Sequence, residues 1–228
     1  MLLPHNSPFL SPPSQAKENT HLKLIPLPIY ATLPNEGSTF GIMPVLLKIK
    51  TDNQQTESIY APSLSWNRVI GSTGTFRWYY YPKPIDQILT LTASVSSNVN
   101  WGTFLQWQDL PFENGKKTEE LTFRIQRSIF FRFFGIGPDI PDDAETSHTR
   151  MRGSLLYRKG LNLPKSFNIG ILLEASRDIV QREAAPGLPS TPLVFPGIPG
   201  MGTGASIVGQ SIDLRFDTRV QRDYSLEG

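Results

Sequence analysis

The chain has 228 residues, with 22 lysines and arginines against 20 aspartates and glutamates, 18 glycines, 20 prolines and no cysteine. The nearly neutral balance excludes the dense basic surface of a nucleic-acid-binding protein. The absence of cysteine excludes disulfides, thiolate nucleophiles and cysteine-ligated metals. The high glycine and proline content argues against a helical bundle, and no apolar run approaches the ~18 residues of a membrane-spanning helix.

The N-terminal part of the chain differs in composition from the rest. Residues 1–36 contain seven prolines and show no sustained hydrophobic period. Proline clusters of this kind are typical of extended connecting segments. We therefore predict a proline-rich N-terminal arm over 1–36 and a folded domain over 37–228.

From Gly37 onward, apolar residues recur at every second position, which is the period of a β-strand with one buried face. Clear alternation predicts strands near 89–96, 121–126, 150–158, 166–176 and 211–219, and weaker patterns predict strands over 39–50, 57–68, 73–81 and 102–109. Turn residues between them, including Asp52-Asn53 and Lys159-Gly160, leave no room for parallel crossovers. The sequence therefore predicts an all-β antiparallel meander of about nine strands.

Two long loops interrupt this predicted meander. Residues 135–148 form an acidic segment, and residues 183–204 are rich in proline and glycine. Neither segment shows a helical period, and no helix is predicted.

Alternation alone fits two architectures. In a soluble β-sandwich, which would be a binding or structural domain, the apolar faces of two sheets meet, whereas in a membrane β-barrel the apolar face contacts lipid. Strands of about ten residues and aromatic residues near strand ends, such as Trp78, Trp101 and Trp107, favour the barrel. From the residues alone both architectures stay open.

Three segments, in this order, resemble the bacterial surface-antigen barrels, the BamA- and TamA-like outer-membrane protein assembly factors. Gly37-Ser-Thr-Phe-Gly41 is similar to the opening strand of that family. An aromatic-Gly-Ile-Gly element before an acidic loop is matched by Phe134, Gly135, Ile136 and Gly137, with Asp139 following. The family's strand-and-turn motif is matched by Asp213, Arg215, Asp217, Arg219 and Gly228.

The resemblance implies a transmembrane outer-membrane β-barrel in the bacterial outer membrane, in contact with its lipid bilayer. It implies a part in outer-membrane protein assembly, insertion or secretion, with client outer-membrane proteins or assembly-complex subunits as partners. The family has sixteen strands, and many members carry periplasmic domains. No such repeat precedes residue 37, and the family's later Arg-Gly loop motif and its closing aromatic strand do not occur. We therefore expect a truncated barrel.

Candidate chemistry outside these motifs is sparse. Ser147, His148 and Glu145 raise the alternative of an outer-membrane lipid hydrolase, but adjacent strand residues point to opposite faces, so we expect a solvated loop histidine. The acidic residues Asp139, Asp142, Asp143 and Glu145 could hold a divalent cation, but they lack the spacing and the turn glycine of a calcium loop, so we expect a solvated acidic loop. We predict no enzyme activity, no catalytic residue, no metal and no cofactor.

The charged row on the last strand has a predicted structural role. Asp213, Arg215, Asp217 and Arg219 share one face of that strand. In a barrel, this row would line the interior and pair with Arg150, Arg152 or Glu174 from neighbouring strands. In the alternative, the row faces solvent and has no specific partners.

Overall fold

The computed structural model describes residues 19–33, 37–83, 86–109, 117–136, 144–164 and 167–216. In chain order the elements are β1 (Thr20–Leu33), β2 (Gly37–Lys50), β3 (Thr56–Tyr60), β4 (Ser63–Asn67), β5 (Gly71–Lys83), β6 (Gln87–Ser96), β7 (Trp101–Asp109), β8 (Lys117–Phe133), β9 (Thr146–Leu163), β10 (Phe167–Gln181), α1 (Thr191–Val194) and β11 (Ala205–Phe216). Within these ranges, no helix has the length and apolar character needed to cross a membrane.

The described strands form one antiparallel sheet. Neighbours in the chain are neighbours in the sheet, from β1 at one edge to β11 at the other. β3 and β4 are two halves of one strand, because both lie between β2 and β5. The all-β antiparallel meander predicted from the sequence is therefore confirmed, with eleven strands rather than about nine.

The break between β3 and β4 has a local cause. The pairing of β2 with β4 ends at Ile42 and its pairing with β3 begins at Leu46, which leaves Pro44 facing Pro62. Neither proline has a backbone N–H, so the ladder of hydrogen bonds cannot continue through this point. The pattern over 57–68 therefore becomes two short strands.

β1 lies within the range predicted as an arm. Its register with β2 is unbroken from Thr20 opposite Lys50 to Leu33 opposite Gly37. Prolines are tolerated in an edge strand when their nitrogen faces away from the neighbouring strand. The sheet thus starts at Thr20 rather than Gly37, which corrects the predicted boundary of the arm, whereas residues 1–18 lie outside the described residues.

Three local predictions are wrong. Lys159-Gly160 lies inside β9 and is not a turn. His148 lies in β9 with only 9% of its surface exposed, so it is not a solvated loop histidine. The segment 183–204 contains the short helix α1, which contacts β9. In each case contacts with distant parts of the chain, described below, decide the local structure.

The sheet has almost no apolar core of its own. Among the described residues, the buried apolar side chains are Ala61, Ile129 and Ala185. Large apolar side chains are exposed on every strand except β3, for example Val208 at 87% and Leu214 at 71%. A soluble domain of this size normally covers such side chains with a second layer. The described chain provides no such layer.

Candidate functional site

The strand registers divide the sheet into two faces, because residues directly opposite each other in antiparallel strands point to the same side. The apolar face includes Ile42, Leu64, Phe76, Trp78, Leu91, Leu105, Phe123, Leu155, Ile171, Leu173, Val208 and Ile212. The polar face includes Arg77, Thr92, Gln106, Glu120, Arg124, Arg152, Arg158, Asn168, Glu174 and Asp213.

The apolar residues of this face form a band. The band does not follow the lines of directly opposite residues but crosses them at an angle. One line of opposite residues starts at Phe76, inside the band, and reaches Arg177, outside it. A second line starts at Asp109, outside the band, and reaches Ile212, inside it. The band therefore moves along the strands as it crosses the sheet from β5 to β11.

The slope of the band gives a tilt angle. Arg177 marks one edge of the band on β10, and Ser38 marks the same edge on β2. The line of opposite residues through Arg177 meets β2 at Pro44, which is six residues from Ser38. Six residues rise ~20 Å along a strand, and the seven strand spacings from β2 to β10 cover ~34 Å. The strands are therefore tilted by roughly 30° from the direction perpendicular to the long axis of the band.

A buried charged cluster lies on the polar face of β8 to β11. Arg158 is 1% exposed, and its Nε donates to the carboxylate of Asp213. Its Nη1 donates to Thr118 Oγ1 at 3.1 Å, and its Nη2 donates to Asn168 Oδ1. Asp213 also accepts from Arg215 Nε at 2.8 Å. All three donor nitrogens of the buried guanidinium therefore have partners, as a buried charge requires. We call these residues the arginine network.

Two glycines make room for the arginine network. Gly160 and Gly170 are directly opposite each other in β9 and β10. A Cβ on Gly170 would lie 3.2 Å from Arg158 Nη2, and a Cβ on Gly160 would lie 2.5 Å from Thr118 Oγ1. The guanidinium group occupies the space that side chains would fill, which explains glycine inside long strands.

A second set of ion pairs continues along the polar face. Arg150 Nε contacts Asp178 Oδ1 at 2.7 Å, and Arg152 Nη2 contacts Glu174 Oε1 at 3.3 Å. The predicted pairing of the β11 row with Arg150, Arg152 or Glu174 is therefore wrong for its described members, because β10 lies between β9 and β11 and supplies the carboxylates for Arg150 and Arg152.

A compact polar cluster, the cap, forms where the start of β9 meets the segment 182–191. Ser147 and Thr149 have no exposed surface, and neither has Thr191 in α1. Ser147 N donates to Pro189 O at 3.0 Å, and Ser147 Oγ accepts from Ala185 N at 2.9 Å. The segment therefore takes the place beside β9 that β10 leaves after Gln181.

His148 is the titratable residue of the cap. Its Nδ1 shares a hydrogen bond of 3.2 Å with Thr191 Oγ1, and its ring stacks on Phe131 at 5.8 Å between centroids. The Arg150 guanidinium also lies over Phe131. Burial lowers the pKa of His148 from its usual range, and the nearby charge of Arg150 lowers it further. The imidazole is therefore neutral near pH 7.

The structure does not assemble the hydrolase set considered above. The Ser147 hydroxyl donates to Ile129 O at 3.4 Å, whereas the His148 ring bonds to Thr191. Glu145 forms an ion pair with Arg132 at 3.3 Å. Within the described ranges, no group of three or more His, Asp or Glu side chains is arranged to hold a metal ion. Asp139, Asp142 and Asp143 lie outside the described residues.

The family-like motif residues fall in different places. Phe134 and Ile136 are exposed just after β8, and Gly135 has a φ of 102°, a conformation that favours glycine. Asp213 and Arg215 belong to the arginine network. The opening motif Gly37–Gly41 lies at the start of β2. Gly137, Asp139, Asp217, Arg219 and Gly228 lie outside the described residues.

Sequence reasoning missed the centre of the arginine network. Arg158, Thr118 and Asn168 carry no motif, and their alternation is that of any strand. The one available signal is Gly160 and Gly170, because glycine inside a strand marks a bend, a bulge or the close approach of another group. Comparison of the chain with protein-family models, curated proteins and solved structures found no match.

Proposed function

We propose that this chain is a membrane-spanning β-protein of the outer-membrane type, with its apolar face in contact with lipid and its polar face lining an interior. The observation that carries the proposal is the uncovered apolar band and its slope of roughly 30°. Strands of membrane barrels are tilted by roughly 35–45°, so an apolar band of constant height must cross their register obliquely. A sheet whose apolar face is covered by a second layer of the protein does not require an oblique apolar band.

The connections between strands support this proposal. At one end of the sheet, the connections span 34–36, 68–70, 97–100, 134–145 and 182–204. At the opposite end, they span 51–55, 84–86, 110–116 and 164–166. The two connections of more than ten residues therefore lie at the same end, and in outer-membrane barrels the long loops share the extracellular end.

Aromatic side chains also lie where a membrane interface would place them. Trp101 and Trp107 occupy the first and fourth apolar-face positions of β7. Trp78 stacks on Tyr80 with centroids 5.8 Å apart, towards the end of β5 that connects to β6. Tryptophan and tyrosine favour the two membrane interfaces because their rings are apolar and their N–H or O–H groups remain polar.

The soluble β-sandwich has less support. A sandwich buries the apolar faces of two sheets against each other, whereas the described strands of this chain belong to one sheet. Of the three buried apolar residues among those described, Ile129 and Ala185 lie at the cap and Ala61 lies between β3 and β4, so none lies between two sheets. The alternative therefore needs an apolar partner surface that the described residues do not contain.

The resemblance to BamA- and TamA-like barrels suggests the activity. We infer that the chain takes part in the insertion of outer-membrane proteins or in secretion, without enzymatic activity. The test is reconstitution of the full chain in lipid vesicles and measurement of the folding rate of an added outer-membrane barrel. Faster folding than in protein-free vesicles is expected. An unchanged rate would contradict insertase activity and leave the membrane-spanning architecture to be tested separately.

The architecture is tested by cysteine labelling, for which the absence of native cysteine is an advantage. Leu105→Cys and Gln106→Cys place a fluorophore on adjacent residues of β7 that point to opposite faces. After reconstitution, a spin-labelled lipid should quench the fluorophore at 105 strongly and the one at 106 weakly. The pair Leu121→Cys and Thr122→Cys on β8 repeats the comparison. Equal quenching within both pairs, or release of the chain by a carbonate wash, would sink the proposal.

A further inference from the structure

One anion and one cation lie side by side in the apolar face, on β8 and β9. Glu119 and Lys159 are directly opposite each other in the register, so both point to this face. Lys159 is exposed, and it lies inside the apolar run of β9, with Leu155 before it and Leu161 beyond it. The surface that we propose contacts lipid therefore carries one charge of each sign, and we call these two residues the charge pair.

Neither member of the charge pair is neutralised within the described part of the chain. Glu119 accepts a hydrogen bond of 2.6 Å from the Tyr157 hydroxyl, which is a neutral donor. Among the described residues, no ion pair includes Glu119 or Lys159. Ionisable side chains at membrane depth are costly without a partner of opposite charge, so they point to a contact that neutralises them.

A lipid headgroup is a poor partner for the charge pair. Leu161 and Leu163 continue the apolar run of β9 beyond Lys159, and Ile169 and Phe167 continue it on β10. Lipid phosphates lie outside the hydrocarbon core, which is ~30 Å thick. Lys159 therefore lies deeper in the apolar band than the headgroups, which favours a protein surface as the partner.

The position of the charge pair fits a second copy of the same chain. Two copies inserted in the same direction are related by a two-fold axis parallel to the membrane normal. An axis between β8 and β9 places β9 of each copy in front of β8 of the other. Neighbouring strands are ~4.8 Å apart, so a tilt of roughly 30° separates directly opposite residues by only ~2.4 Å in height. Lys159 of one copy then faces Glu119 of the other, twice by symmetry.

We propose that the apolar face of β8 and β9 forms a two-fold symmetric interface between two copies of this chain, with Lys159 of each copy paired with Glu119 of the other. The proposal rests on the membrane-spanning architecture proposed above. Leu121, Leu161 and Ile171 surround the charge pair and are 43%, 49% and 59% exposed. The interface would bury these side chains and hold the opposite charges in an apolar environment, where their attraction is strong.

The test is a charge swap between copies. Lys159→Glu gives a chain with two negative charges at the pair, and Glu119→Lys gives a chain with two positive charges. Each variant alone brings like charges into contact and should weaken dimerisation by roughly 30-fold or more. An equimolar mixture of the two variants should dimerise as the parent chain does, because each contact then joins opposite charges.

Dimerisation is measured by energy transfer between full chains in lipid vesicles at low protein density, with donor and acceptor dyes on Gln106→Cys. Lys159→Gln introduces no like charge and should also weaken the dimer. Two matched controls should keep the energy transfer of the parent chain. Arg177→Gln removes a cation of the same face, six residues along β10 from Ile171, which is opposite Lys159. Tyr157→Phe removes the hydrogen bond to Glu119 but no charge.

Three results would overturn the proposal: no energy transfer in the parent chain, a dimer unaffected by Lys159→Gln, or no rescue in the mixture of the two charge-swap variants when both are inserted. The last result would mean that Glu119 and Lys159 pair within one chain. The quenching pair at 105/106 on β7 reports on the architecture independently. A missing dimer with intact quenching would therefore contradict the interface alone.

Discussion

The arginine network and the cap are two buried polar clusters of the described residues, and they differ in charge. The arginine network encloses a guanidinium that is 1% exposed, held by Asp213 and two neutral side chains. The cap encloses hydroxyl groups, held by backbone groups of the segment 182–191, and a neutral imidazole, held by the Thr191 hydroxyl. A buried charge requires all its partners, whereas a neutral cluster loses one hydrogen bond at a time. The network should therefore be the more sensitive to substitution, and the cap the more sensitive to pH.

The largest effect is expected at Arg158. Arg158→Ala leaves Asn168 Oδ1 without its partner and the Asp213 carboxylate with Arg215 alone, so we expect a loss at the lower end of the range of about 3–5 kcal/mol that breaking a buried ion pair costs. The free energy of unfolding, measured by urea titration in lipid vesicles, should fall by that amount. Arg152→Ala is the control, because Arg152 is 32% exposed and its pair with Glu174 is partly solvated. A similar loss in both variants would contradict the special role of the network.

A smaller effect is expected at the glycine that makes room for the network. A Cβ on Gly160 would lie 2.5 Å from Thr118 Oγ1 and 3.1 Å from Ile169 O. Gly160→Ala should destabilise the sheet by about 1–3 kcal/mol, because overpacking forces neighbouring groups apart. In Gly153→Ala, on the same strand, the added Cβ would have no atom within 4 Å. That control should be neutral or slightly stabilising in the same urea titration, and the reverse order would refute this account of Gly160.

The smallest effect is a pH dependence of the cap. His148 lies at least three residues before the apolar band of β9, so it is outside the proposed membrane-spanning part. Its pKa is lowered when the cap is closed, so protonation favours the open form. The stability contribution is complete above the ordinary pKa of about 6.5 and decreases as the pH falls below that value.

Limited proteolysis of the segment 182–191 measures this opening. The cleavage rate at pH 5.5, relative to pH 7.5, should be higher in the parent chain than in His148→Asn, whose amide keeps a polar group near Thr191 but does not titrate. Normalising each rate to an unfolded substrate removes the pH dependence of the protease. The charged group that acts on His148 is the Arg150 guanidinium, which is itself hydrogen-bonded to the Asp178 carboxylate. A rate ratio unchanged by the substitution would contradict a role for His148 in the pH response.

Much of the fold could be predicted from the sequence because alternation is a local property. The run Ile212, Leu214 and Phe216 places three apolar side chains on one side of a strand whatever lies next to it. Short turns between such runs leave antiparallel pairing as the available arrangement. β1 was missed because Pro26 and Pro28 disrupt the local pattern, and a strand with these prolines is possible because β1 lies at the edge of the described sheet.

The arginine network and the cap could not be predicted in the same way. Arg158 and Asp213 are 55 residues apart, and their contact depends on a register that places β9, β10 and β11 side by side. His148 becomes buried only because the segment containing Thr191 returns to the start of β9. Neither contact can be predicted from the residues that neighbour these positions in the chain.

The sequence by itself determined the strands, their antiparallel order and the separation of polar from apolar side chains, because each follows from period-two alternation and turn length. The tertiary structure decided where the sheet begins, which carboxylate holds which arginine, and that the apolar band crosses the register at an angle. These features depend on strand register, and register is fixed by contacts between residues far apart in the chain.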